Sequence, residues 1–168
     1  MNQSEFVRDL ATTPILLSLI CSVFHYTKQI HSKRSQLYQE SLELLLEDWD
    51  RSRDIERGKL YSRLPIESKF ELLCCLAIKK FEKTQYVLFE QAEIEEYISV
   101  FFRTGQCKSR EILKTIESQN GLLIERTRRI WSFSHLTFQE YLAARWFCEE
   151  KAWKHLAAAV PNSKIQTF

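Results

Sequence analysis

Residues 133–144 read Phe-Ser-His-Leu-Thr-Phe-Gln-Glu-Tyr-Leu-Ala-Ala, and they join the end of an apolar, strand-like run to the start of a strongly apolar helix. His135 stands at the junction. Thr137 and Glu140 have the spacing of a capping box, in which Thr137 bonds the N–H of Glu140 and the Glu140 carboxylate reaches back to the N–H of Thr137. That reading starts the helix at Phe138, with Leu136 and Tyr141 at staple positions. One imidazole is then presented close to a helix N-terminus. Such an end carries about half a positive charge and unpaired N–H donors, a setting that suits a phosphate.

Working back from this stretch, Leu122 to Glu125 and Ile130 to Phe133 read as two short strands around the polar turn Arg126-Thr-Arg-Arg129. Asn120-Gly121 is a helix-stop signal. Before it lie three helical patterns: Pro65 to about Lys83 (packed through Phe70, Leu73, Cys74, Ala77 and Phe81), Glu90 to Phe102, and Ser109 to Gln119. Residues 85–89 read as a short extended piece. Three helices, a β-hairpin and a closing helix from Phe138 to about Lys151 make a winged-helix arrangement.

The first third has a different rhythm. Ser4 to Leu10 is a short helix fragment. Thr13-Pro14 is a helix start, with proline where its missing N–H costs nothing. The run that follows, to about Tyr26, is apolar nearly all round and is expected to be buried. Ser35 is the expected cap of a helix to about Arg53, with Leu37, Leu42, Leu44, Leu45 and Trp49 on its apolar side. Residues 54–63 are charged, contain Gly58, and read as a linker. The expected division is a helical subdomain over 1–60, a winged-helix subdomain over 61–150, and the start of a further helical region over 151–168. The fold class is mainly α, with one β-hairpin.

Composition narrows the function classes. The chain has 168 residues, 45 % hydrophobic and 27 % charged, with a formal net charge of +2. That is an ordinary globular composition and argues neither for nor against nucleic acid. The amino-terminal residues lack a basic region, so no signal peptide is expected. The apolar run at 14–24 is shorter than the roughly 20 residues a bilayer needs. The five cysteines are odd in number, and there is no Cys-x-x-Cys pair. They read as reduced thiols of a cytoplasmic protein, with no zinc site.

Glu43, Glu47, Asp48 and Asp50 read as a solvated helix face rather than an acid/base pair. Gly58-Lys59 has no partner glycine, so the chain has no phosphate-cradling loop of its own. No catalytic constellation is visible. The wing arginines 126, 128 and 129 invite a DNA reading. The helix at 108–119, however, mixes Lys108, Arg110 and Lys114 with Glu111 and Glu117, which a duplex repels. An exposed charged hairpin is the simpler interpretation. For His135, a satisfied core or surface histidine and a phosphate contact both remain open. For Pro14, spacing shows only a first-turn proline.

Three segments together, 13–24, 34–50 and 121–144, resemble the C-terminal half of NACHT-type STAND NTPases, the class that includes animal NLR receptors and many bacterial signalling proteins. The segment around His135 is the most specific. The resemblance covers roughly residues 5–150. It implies a helical domain plus a winged-helix domain from a protein whose P-loop domain comes first. It also implies that His135 contacts the β-phosphate of bound ADP in the closed, inactive state, and that Pro14 packs on the adenine ring. The cofactor implied is ADP or ATP, shared with a P-loop domain. The partners implied are that domain and effector or sensor regions, with oligomerisation on activation, in signalling or innate defence. The P-loop and the Mg²⁺-binding acidic motif of the family are missing here. The chain alone is therefore not expected to be an enzyme or to bind nucleotide by itself, and it reads as a piece of a longer protein. The alternatives are a winged-helix DNA-binding regulator and a plain helical protein-interaction module.

Overall fold

The structure is a computed structural model that describes residues 14–29, 33–52 and 59–149, without the side chains of Ile15 and of residues 48–60. The expected helices at 4–10 and after 151 lie outside the described residues, as does the Trp49 side chain. The chain divides into two compact units, Met1–Glu56 and Arg57–Phe168.

In the first unit α1, Pro14–Thr27, begins at the proline the sequence marks. It ends where Thr27 donates its hydroxyl to the Val23 carbonyl at 2.9 Å, and Lys28 turns left-handed at φ 57°. Helix α2, Arg34–Ser52, packs on it. Ser35 is the second residue of α2 rather than its cap. Leu16, Leu19, Ile20 and Val23 are buried, as are Leu37, Leu42 and Leu46 of α2. Leu44 and Leu45 are half-buried. The buried Ser41 hydroxyl is satisfied by the Leu37 carbonyl at 2.6 Å. Helix α1 is not buried all round. Leu17, Phe24 and Tyr26 are 44 %, 45 % and 53 % exposed. One neighbouring helix covers one face, and α2 is the described element of this unit that packs there.

The second unit begins inside the expected linker. Lys59–Ser62 form a helical turn, α3, because Tyr61 is an anchor with no exposed surface. The Lys69 ammonium lies 5.5 Å from its ring centroid, and Gln119 Nε2 donates to Ser62 Oγ at 2.7 Å. Helix α4, Ile66–Phe81, starts after Pro65 and buries Phe70, Leu73, Cys74 and Ala77, with Phe81 half-buried. Strand β1, Phe89–Glu90, leads into α5, Gln91–Phe102. Helix α6, Gln106–Asn120, starts three residues before Ser109, since the Gly105 carbonyl already accepts from Lys108 and Ser109. It stops at Gly121, whose φ of 58° lets its N–H reach the Ile116 and Glu117 carbonyls.

Strands β2, Leu123–Thr127, and β3, Ile130–Phe133, form the expected hairpin, and β1 adds a third antiparallel strand in the order β1-β3-β2. Phe89 faces Trp131 and Leu123 faces Phe133 in register. The hairpin turn is tighter than expected, with only Arg128 and Arg129 outside the strands. Helix α7, Leu136–Glu149, closes the unit by packing on α4, with Phe138, Leu142, Ala143 and Phe147 inward. The protein is mainly α: a helical unit followed by a winged-helix unit with a small sheet.

Candidate functional site

The chain has almost no room between β3 and α7. Ser134 extends the ladder by donating its N–H to the Leu122 carbonyl at 2.8 Å. His135 must then make the turn, and it becomes the N-cap residue of α7. Its ring does the capping. Nδ1 lies 2.8 Å from Thr137 Oγ1, and the Thr137 backbone N–H donates to Nδ1 at 3.4 Å. The His135 carbonyl accepts the Phe138 N–H at 3.2 Å.

The capping box read from Thr137 and Glu140 does not form. A box needs the N-cap and the third helical residue, and here those are His135 and Phe138. Thr137 is the second helical residue, two positions past the cap, and Leu136 and Tyr141 lose their staple positions for the same reason. Glu140 is half-buried instead, and burial pushes its carboxyl up.

A backbone N–H can only donate, so the 3.4 Å contact from Thr137 favours a lone pair on Nδ1. A neutral ring with that lone pair would carry its proton on Nε2. Among the described residues Nε2 has no hydrogen-bond partner, and His135 is only half-buried. The arrangement can donate one N–H from the ring at the positive end of α7.

Arg126 is not where the sequence reading places it. The β2–β3 register slips between Glu125 and Thr127, which makes Arg126 the extra residue of a β-bulge. A bulge re-aims its side chain. Arg126 Nε donates to Ser132 Oγ at 2.8 Å, and Nη2 donates to the carbonyls of Phe133 at 3.3 Å and Ser134 at 2.8 Å. The guanidinium thus clamps the strand end that delivers His135. Strand-pairing register decides this, and no residue pattern in the hairpin announces it.

Pro14, the other expected contact residue, is exposed at the first position of α1 in the first unit. His135, Thr137 and Arg126 belong to the second. Glu43 is tied to Gln39 on its own helix at 3.0 Å, in keeping with a solvated face. Among the described residues no three His, Cys, Asp or Glu gather into a group that could hold a metal, and no helix is long and apolar enough to cross a membrane.

Two of the three cations of α6, Arg110 and Lys114, are engaged within the unit. Arg110 pairs at 2.8 Å with Glu95, whose side chain is 4 % exposed. Burial works to raise the Glu95 carboxyl, but hydrogen bonds from Arg110 and Gln91 outweigh it and hold the group below the usual range. Lys114 meets Glu117 and Glu125 at 3.1 and 2.9 Å and lies over the Trp131 ring at 4.6 Å. An open groove elsewhere, floored by Lys80, Lys83 and Glu93, holds a similar knot of charge. The two ammonium groups sit 2.9 and 2.7 Å from the one carboxylate.

A family model described as the winged helix-turn-helix domain C-terminal to NACHT matches residues 34–147. No curated protein and no solved structure matches the chain.

Proposed function

The chain belongs to the family of winged helix-turn-helix domains C-terminal to NACHT, and on that premise we propose that it is the regulatory part of an ADP/ATP-operated signalling switch, holding the closed, ADP-bound state. The observation that carries the reading is the half-buried His135 at the N-cap of α7, with Nδ1 occupied and Nε2 open. In the proposal the Nε2–H donates to a phosphate oxygen of ADP held by a NACHT P-loop domain of the same parent protein. Pro14 packs on the adenine ring. The chain supplies no reacting group; hydrolysis belongs to the P-loop domain.

A hydrogen bond to a charged group contributes about 1.5–3 kcal/mol. That biases a two-state equilibrium roughly ten- to a hundredfold, which is enough for one histidine to serve as a latch. Exchange of ADP for ATP, or a signal from a sensor region, breaks the contact. The winged helix then swings away and the parent oligomerises, in the cytoplasm. The duplex-binding alternative is weaker, because Arg126, Arg110 and Lys114 already spend their donors inside the unit.

The test is the resting state of the intact parent. His135→Ala raises basal signalling and the oligomeric fraction without added stimulus. A variant that stays as quiet and as monomeric as the parent sinks the latch. Pro14→Ala gives a milder loss of nucleotide affinity. If only its melting temperature moves, the adenine contact is wrong.

A further inference from the structure

Three sets of contacts converge on His135. On its amino-terminal side, the Arg126 guanidinium holds the Phe133 and Ser134 carbonyls. On its carboxy-terminal side, the Phe138 N–H holds its own carbonyl. The backbone is therefore fixed on both sides, and what remains free is the ring: its torsion and its tautomer. The Thr137 hydroxyl lies 2.8 Å from Nδ1 and the Thr137 N–H at 3.4 Å from the same atom.

We propose that Thr137 is the positioning residue for His135: its hydroxyl and its N–H both donate to Nδ1, and so fix the neutral ring as the Nε2–H tautomer that can donate to a phosphate oxygen. The proposal rests on the nucleotide contact put forward above, and it says what makes that contact attractive. In the opposite tautomer an N–H would face the Thr137 N–H across 3.4 Å. Nε2 would then offer a lone pair, which repels an anion. The same imidazole is a latch in one tautomer and an obstacle in the other. Threonine suits the task because its β-branch stiffens χ1 and holds the hydroxyl toward the ring. Serine keeps the hydroxyl with a looser torsion, and valine keeps the shape without it.

The first arm uses the 168-residue chain labelled with ¹⁵N-histidine at about pH 8. Two-bond ¹H–¹⁵N correlation reads the ring nitrogens directly, with His135→Gln to assign the signals. Wild type and Thr137→Ser show an unprotonated Nδ1 and a protonated Nε2. In Thr137→Val, with the rest of the spectrum still dispersed, the two nitrogens move toward averaged shifts. A protonated or averaged Nδ1 in the wild type overturns the proposal; a wild-type pattern in Thr137→Val, which keeps the backbone N–H, overturns the part given to the hydroxyl.

The second arm measures ADP affinity in the NACHT-containing parent. Thr137→Val weakens it roughly two- to tenfold, the worth of one hydrogen bond, and Thr137→Ser restores it. Affinity that responds to His135→Ala but not to Thr137→Val overturns the positioning role alone. A fixed tautomer with affinity insensitive to both variants overturns the phosphate contact and leaves the tautomer assignment standing.

Discussion

Replacing Arg126 by alanine separates a wing arginine that serves the fold from one that serves a ligand. Its guanidinium makes three hydrogen bonds, to Ser132 Oγ, the Phe133 carbonyl and the Ser134 carbonyl, at 2.8, 3.3 and 2.8 Å. A buried hydrogen bond to a charged group is worth about 1.5–3 kcal/mol. Arg126 is exposed, however, so water replaces much of what is lost, and about 0.5 kcal/mol per bond is the better figure. Ser132 is buried and loses a donor that water does not easily replace. The sum is about 1–2 kcal/mol. For a unit of this size each kcal/mol lowers the melting temperature by roughly 4–8 °C, so the expected drop is about 5–10 °C. Arg128 in the turn makes no such bonds, and Arg128→Ala stays within about 0.5 kcal/mol. Thermal and urea unfolding followed by circular dichroism measure both variants. Equal effects of the two substitutions, or an Arg126→Ala chain as stable as the parent, would refute the clamp. A fall in duplex binding with stability untouched would return Arg126 to the wing-tip reading.

Other outcomes follow from the same structure. Gly121 holds a φ of 58° at the end of α6 with open space where a Cβ would go, so Gly121→Ala costs about 1 kcal/mol of backbone strain, and a neutral result in denaturant titration contradicts that assignment. The Cys74 thiol is pushed up to about 12, chiefly by burial, while Cys21, Cys107 and Cys148 are exposed; a thiol reagent at pH 8 therefore labels the exposed three promptly and Cys74 only on unfolding. Burial works to raise the Glu93 and Glu95 carboxyls, but Lys83 and Lys80 on one and Arg110 and Gln91 on the other hold both below the ordinary 4.5. Their contribution to stability is thus full above that pH and is lost as pH falls through the lower folded-state values. Glu95→Gln should flatten this acid limb, and an unchanged limb counts against the pairing.

The winged-helix order was legible because its signals are local. Asn120-Gly121 stops α6, two short apolar runs on either side of the polar residues 125–129 make a hairpin, and Pro14 and Pro65 mark helix starts. The misreadings all came from partners distant in sequence or from competing local choices. The Thr137–Glu140 spacing fits a capping box, but the ladder bond from Ser134 to Leu122 pulls the turn back to His135, and the ring takes the cap. Arg126 left the wing tip because the strands pair with a bulge. Residues 59–62 look like linker until Tyr61 is seen with no exposed surface. The apolar run of α1 says that the helix is hydrophobic, not how many neighbours cover it, and Leu17, Phe24 and Tyr26 stayed exposed. For the site, residue pattern singled out His135 as a histidine beside a helix start. The part played by Thr137 needed coordinates, because it depends on which nitrogen the N–H meets.

The central claim is that His135 holds ADP. The most direct measurement is the dissociation rate of ADP from the intact NACHT-containing parent, wild type against His135→Ala, with Thr137→Ser as a conservative control. Loss of a charge-assisted hydrogen bond predicts release about ten- to a hundredfold faster in His135→Ala and little changed in the control. Equal rates of release from wild type and His135→Ala contradict the account.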